Sequence, residues 1–197
     1  WLTTEPASAR WQDARVIAEH LRLPPGPVDL SALPTDATPG FDGGKSEGQE
    51  ALGELGEELS DLQERLYAEG EQSILFVFQA MDAGGKDSTT EHVFGPMNPQ
   101  GVRVASFKAP STLEKSHDFL WRVHAKAPQK GMIRVFNRSH YEDVLIVKVH
   151  GWAEADVIER RYDHIRHFEA LLADAGTRVV KVMLNISKDY QLERFRR

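Results

Sequence analysis

With 197 residues, 41% of them hydrophobic and 27% charged, the chain has the size and balance of one globular domain, or of one domain with an N-terminal extension. It has no cysteine, which excludes disulfides and thiolate metal centres and fits a reducing cytoplasm, and no apolar run approaches the roughly 18 residues of a membrane helix. The net charge of −6 hides an asymmetry: between residues 102 and 138 eight basic residues face only Glu114 and Asp118, a local +6 that suits an anionic ligand better than general adhesion to nucleic acid or membrane.

Residues 1–45 are rich in Pro and Gly and read as an extended arm, with a helical piece near residues 10–22. Trp1, Trp11, Leu21 and Leu23 could tack that arm onto the domain or onto a partner subunit. A start at Trp1 rather than Met, and an end inside a charged, helix-like run, are consistent with trimmed ends. A helix is expected over 46–70, opened by a capping box of Ser46 and Gln49. Its stripe of Leu52, Leu55, Leu59, Leu62 and Leu66 should cover a sheet face.

The stretch SILFVFQAMDAGGKDSTT follows. Residues 74–78 read as a buried strand, Gly84 and Gly85 as a sharp turn, and 86–94 as a helix ending before Pro96. Strand, glycine turn, Lys86 and helix start arrive in the order of a phosphate-binding loop, G-x-x-x-x-G-K-[ST]. Two positions depart from it: Ala80 stands in place of the first Gly, and Asp87 in place of the Ser or Thr. The alternative is an ordinary strand–turn–helix with a solvated lysine.

Strands are then expected at 102–107, 132–136 and 178–184. Between them lie a helix capped by Ser111 or Thr112 with Phe119, Leu120 and Trp121 on its buried side, a short apolar piece at 144–149, and a long helix over 153–175. Ser187 should open a last helix. This alternation means βαβ units: a mainly parallel α/β sheet with helices on both faces. Ligands of such sheets collect beyond the carboxyl ends of the strands, where 82–86, Lys108 and 137–143 would converge.

A loop of amides with a lysine suits phosphoryl groups, and magnesium would be the hard cation to accompany them. Asp82 and Asp143 are the favoured ligands, with Glu142 a further candidate; Asp87 reads more simply as a helix-start acid. Arg138 can fork onto phosphate oxygens or pair structurally with a neighbouring carboxylate. Arg122, beside an aromatic cluster, is half structural through its stem. His164 with His167, and His117 with His124, match no metalloprotease pattern and read as surface or satisfied histidines. No G-x-S-x-G elbow and no G-x-G-x-x-G fingerprint occurs.

Taken in succession, QAMDAGGKDSTT, NPQGVRVASFKAP, HDFLWRVH, FNRSHYEDVL and HFEALLADAGTRVVKVMLNISK resemble the type-2 polyphosphate kinase family over residues 52–197. The resemblance implies a thymidylate-kinase-like, P-loop kinase-like three-layer fold over 46–197. It implies magnesium-dependent transfer of phosphoryl groups between inorganic polyphosphate and nucleotides, manganese being the substitute ion. AMP, ADP and ATP would be the nucleotides, with guanine nucleotides as further candidates. The family's loop lysine falls on Lys86 and its loop aspartate on Asp82. Phosphate contacts would fall on Ala83, Gly84, Gly85, Lys86, Asp87 and Ser88, with Lys108 and Arg122, and nucleotide contacts on Asn137, Arg138 and Glu142.

Phe136, Arg138, Ser139 and Tyr141 match the second motif, F-D-R-S-x-Y, while Asn137 replaces its Asp. The F-N-R-S-H-Y-E-D form is similar to the branch that accepts both nucleoside mono- and diphosphates, where Asp143 would serve the metal. The resemblance also implies a dimer or tetramer, and a basic lid beginning near Arg197. The rivals are an ATP-dependent nucleotide kinase of the same fold, which would ignore polyphosphate, and a non-catalytic binder of phosphate polymers or nucleotides.

Overall fold

The computed structural model describes residues 17–196, so Trp1, Trp11 and the helical piece before residue 17 lie outside the described residues. Residues 17–21 are helical; from there to residue 44 the chain carries only one 3-10 turn, Leu30–Ala32, whose start is capped by Asp29. Closely spaced prolines, lacking N–H donors, keep that stretch out of helix and ladder.

Helix α1, Lys45–Glu69, begins one residue earlier than expected, at an N-cap of Gly44 without a side-chain cap. Ser46 therefore lies inside the first turn, and the capping box read from Ser46 and Gln49 does not form. The leucine stripe is also corrected. Leu52 and Leu62 are 46% and 37% exposed, while the inward face runs through Leu59, Gln63 and Leu66. Gln63 replaces a leucine on that face because a loop amide needs it: its Oε1 accepts from Asn98 N at 3.1 Å. A buried amide left without an acceptor would cost more than the apolar surface forgone.

Four strands follow: β1 (Ser73–Ala80), β2 (Val102–Ser106), β3 (Ile133–Arg138) and β4 (Thr177–Leu184). They pair in parallel in the order β2-β3-β1-β4. All four expected strands form, within two residues at each end. The crossovers are α2 (Lys86–Phe94), then α3 (Thr112–Lys115) with α4 (Trp121–His124), then α5 (Glu142–Val149) with α6 (Ala155–Asp174); α7 (Lys188–Arg196) follows β4. Ser187 does serve the last helix, its Oγ accepting from Tyr190 N at 3.1 Å.

Leu75 and Val77 alternate with Phe78 across the two faces of β1, and all are almost fully buried, as expected of a central parallel strand. One face packs Phe78, Ile133 and Val135 against Phe94 and Met97, with Leu59 and Leu66 of α1. The other packs Leu75, Val77 and Phe136 against Val123, Phe168 and Leu172. A third cluster, Val144 with Ile158 and Ile165, locks α5 to α6.

The single helix expected between β2 and β3 is instead two short ones. Ser111 and Glu114 form a reciprocal capping box at α3, and Asp118 then caps Leu120 N at 2.9 Å, starting a new turn. That break rotates the aromatic run. Trp121 is 42% exposed, and Arg122 and Val123 take the buried positions. Because every strand is parallel, the segments following β1, β2 and β3 all emerge at one edge of the sheet.

Candidate active site

The turn between β1 and α2 is shaped by steric demands. A Cβ on Gly84 would lie 2.7 Å from both Ala80 Cβ and Met81 O, and the Gly84 amide donates to that same carbonyl at 2.9 Å. Ala83 (φ 59°) and Gly85 (φ 93°) are both left-handed. For Ala83 that conformation costs on the order of 1 kcal/mol, a strain that clusters at ligand-binding turns. No side chain caps α2. Its first-turn N–H groups at Lys86, Asp87 and Ser88 are thus left for an outside acceptor, with the helix dipole behind them. Lys86 folds back over the turn, Nζ donating to Ala80 O at 3.1 Å. Ser88 Oγ donates to Gly85 O at 3.0 Å, holding the turn from within.

Asp82 is exposed at the mouth of this turn. Its carbonyl accepts from Gln191 Nε2 of α7 at 2.7 Å, while its carboxylate has no hydrogen-bond or ion-pair partner among the described residues.

The end of β3 forms a second wall. Asn137 Nδ2 donates to Asp87 Oδ1 at 2.5 Å, and Asn137 Oδ1 faces Thr90 Oγ1 at 3.5 Å. The two departures read from the sequence therefore answer each other: an aspartate at 137 would set a second carboxylate against Asp87, whereas asparagine supplies a donor. Ser139 is fully buried, its Oγ accepting from Gln79 Nε2 at 2.5 Å and from Tyr141 N at 3.2 Å. Phe107 N donates to Arg138 O at 3.0 Å, tying the segment after β2 to the same edge. The exposed Arg138 guanidinium has no partner among the described residues.

Arg122 turns inward. It is 7% exposed, with Nη1 donating to Lys108 O at 2.7 Å, Nη2 paired to Asp143 Oδ2 at 3.1 Å, and the guanidinium 5.5 Å from the centre of the Phe107 ring. Arg161 Nη1 of α6 takes the Asp143 carbonyl at 2.7 Å. Asp143 is thus held at both ends by arginines. Lys108 extends an exposed ammonium, and Glu142 lies half-buried in the first turn of α5, both without side-chain partners among the described residues.

Behind this wall Glu169 of α6 accepts from Tyr141 Oη at 2.9 Å and from Lys181 Nζ at 2.8 Å. Burial pushes the Glu169 carboxyl up, but the His140 imidazole close by and the hydrogen bonds from Lys181 and Tyr141 outweigh it and leave it below its ordinary 4.5. Burial, then the Glu169 charge, pushes the Tyr141 phenol up to about 12.

The structure thus joins Asp87 to Asn137, and Lys108 to Arg122 and Asp143, while no hydrogen bond or ion pair among the described residues links Asp82 to Asp143. Nor do three acidic or histidine side chains gather into a metal cluster among them. The residues that could hold a hard cation are the Asp82 carboxylate and Asp143 Oδ1, oxygen donors of the kind that magnesium takes one or two at a time beside waters and phosphates. The residues that sequence reasoning missed are Gln79, Gln191, Arg161, His140 and Glu169. A lone polar residue at the end of the apolar run SILFVFQA was a readable sign for Gln79; the others act through contacts distant in sequence.

A parallel α/β sheet whose strand ends carry an uncapped helix start, a left-handed glycine turn and an inward-curled lysine belongs to the class of α/β folds with a ready-made anion site at a helix N-terminus. Residues 43–197 match the family model described as Polyphosphate kinase 2, and the chain belongs to that family. It is 52% identical over 171 residues to the AMP/ADP-polyphosphate phosphotransferase of Meiothermus ruber, covering 87% of this chain and 64% of that one. It is 45% identical over 184 residues to the ADP-polyphosphate phosphotransferase of Rhodopseudomonas palustris, covering 85% and 62%. The crystal structure of Polyphosphate Kinase 2 from Arthrobacter aurescens TC1 superposes with a TM-score of 0.86 at 50% identity, over 90% of this chain and 64% of that chain. The chain thus spans just under two thirds of the length of these relatives.

Proposed function

We propose that the protein transfers phosphoryl groups between inorganic polyphosphate and nucleoside mono- or diphosphates, with magnesium. The observation that carries this reading is the turn at 82–88: strained, uncapped, with Gly84 packed so tightly that its shape is fixed and Lys86 within it. Family membership and the names of the relatives supply the donor and acceptors. AMP and ADP head the acceptors, with guanine nucleotides as further candidates.

In the forward step an oxygen of the nucleotide's terminal phosphate attacks the end phosphorus of the polymer. The new P–O bond forms as the phosphoanhydride bond behind it breaks, and the polymer leaves one unit shorter with the electron pair. No general base is required, because the attacking oxygen is already an anion. The chain's own contribution is positioning and charge neutralisation. First-turn amides of α2 and Lys86 Nζ, released from Ala80 O, cradle the moving group, and Arg138 takes its outer oxygens. Asp87 and Asn137 keep the helix start against the end of β3, and Arg122 keeps Asp143 and the segment bearing Lys108 in register. Asp82 would be the first-choice magnesium ligand and Asp143 Oδ1 the second, and the ion, or manganese in its place, would supply charge neutralisation at the phosphates.

The enzyme would work in the cytoplasm as a homo-oligomer, a dimer or tetramer. Exchanging the donor tests the reading. AMP or ADP with polyphosphate and no ATP should yield the next higher nucleotide, read by anion-exchange chromatography. Turnover with ATP but not with polyphosphate would make the protein an ordinary nucleotide kinase, and salt-sensitive binding without turnover would make it a binder.

A further inference from the structure

Glu169 is the common acceptor of a cluster the transfer chemistry does not use. Its Oε1 accepts from Tyr141 Oη at 2.9 Å and stands 3.5 Å from His140 Nε2; its Oε2 accepts from Lys181 Nζ at 2.8 Å. Lys181 Nζ also reaches Tyr141 Oη at 3.3 Å. Three elements are joined this way: α6 through Glu169, β4 through Lys181, and the 139–141 turn through His140 and Tyr141. His140 is fully buried, its ring set edge-on to Phe136 and Phe168 at centroid distances of 5.9 and 5.6 Å. Neither of its ring nitrogens makes a hydrogen bond, so its place is fixed by packing and by the nearby carboxylate charge.

A carboxylate 12% exposed is costly unless its lone pairs are filled, and a filled one is directional. What this one directs is the segment carrying the phosphate motif. Tyr141 passes its position on through its own amide, which donates to Ser139 Oγ, and Ser139 is tied in turn to Gln79 of β1. Arg138 adjoins that serine on one side, and Asp143 lies two residues beyond Tyr141 on the other. The cluster grips the midpoint between the two groups assigned to the moving phosphate and its cation.

We propose that Glu169 is a positioning residue: through Tyr141 and His140 it sets the path of residues 138–143, and so the placement of Arg138 and Asp143 in the strand-end crevice. The proposal rests on the reading of the site given under Proposed function. Misplacement of a phosphate-holding group by about 1 Å is enough to lower a transfer rate by up to a hundredfold while leaving substrate binding nearly intact.

The test compares the parent protein with Glu169→Ala, Glu169→Gln and Tyr141→Phe, each used well below its own melting temperature. Glu169→Ala should lower kcat for ADP phosphorylation by about 10- to 100-fold with the KM for polyphosphate and ADP within about threefold. Tyr141→Phe should lower kcat less, and Glu169→Gln, which keeps an acceptor for Tyr141, should recover much of the loss. Hydrogen exchange gives a readout independent of activity: amides of 138–143 should exchange faster in Glu169→Ala, and those of β1 should not. A kcat per folded molecule equal to the parent's, with unchanged exchange over 138–143, would reduce Glu169 to a stabilising residue and overturn the proposal. Should Glu169→Ala not fold, Tyr141→Phe, which removes the hydroxyl that Glu169 holds, decides by the same two measurements. A parent protein that transfers nothing from polyphosphate sinks the functional reading instead, and exchange over 138–143 still decides the role of Glu169.

Discussion

A methyl group on Gly84 has no room, because Ala80 and the Met81 carbonyl already occupy the space a Cβ would need. Gly84→Ala should therefore destabilise the protein by about 1–3 kcal/mol and abolish polyphosphate-dependent transfer. Thermal melting and an activity assay check both parts. Gly85→Ala tests a different cause at the neighbouring position, where a Cβ would make only an ordinary contact with Ser88 Oγ at 3.6 Å but φ is 93°; its penalty comes from backbone strain and should be the smaller. Glu169 makes a pH prediction. Its carboxyl is held below 4.5 in the folded protein, so the stability it contributes is present above the unfolded value and is lost as pH falls through the lowered one. Between about pH 6 and about pH 3 the melting temperature of the parent should fall more steeply than that of Glu169→Gln. Parallel curves would contradict the assignment.

The elements differ in how far their sequences announce them. β1 was legible because an apolar run of that length, closed by glycines, has few other uses, and the same holds for β3 and β4. The beginning of α1 was not: Ser46 and Gln49 have the right spacing for a capping box, but Gly44 accepts the turn first. Nor was its inner face, since Gln63 serves the amide of Asn98, 35 residues away, and no periodicity reveals that demand. Gln63→Ala should cost about 1–3 kcal/mol in chemical denaturation, by orphaning that amide. Leu52→Ala, at a position 46% exposed, should stay within about 0.5 kcal/mol; the reverse ranking would restore the leucine stripe as the buried face. At the strand ends, the turn bearing Asp82 and Lys86 was legible from the loop pattern, and the position of Asn137 and Arg138 from the strand-end rule and the family resemblance. The inward turn of Arg122 could not, because it follows from the break between α3 and α4 at Asp118.

For the whole molecule, the charge distribution carries the argument. A protein of net charge −6 keeps a segment of +6 whose lysines at 108, 115, 126 and 130 are exposed. A polymer with about one charge per unit should exploit that segment by displacing counterions, so its KM should climb steeply with salt while that of ADP climbs less. Equal salt slopes for the two substrates would remove the basic segment from polymer binding. The central claim is narrower: that the turn at 82–88 carries polyphosphate's terminal phosphoryl group during transfer. Its most direct test is the initial rate of ATP formation from ADP, polyphosphate and magnesium, measured for the protein and for Lys86→Ala with matched circular dichroism. The account predicts ATP formation by the parent and a loss of at least about a hundredfold in kcat for the variant. A Lys86→Ala protein that makes ATP at a near-parental rate would contradict it.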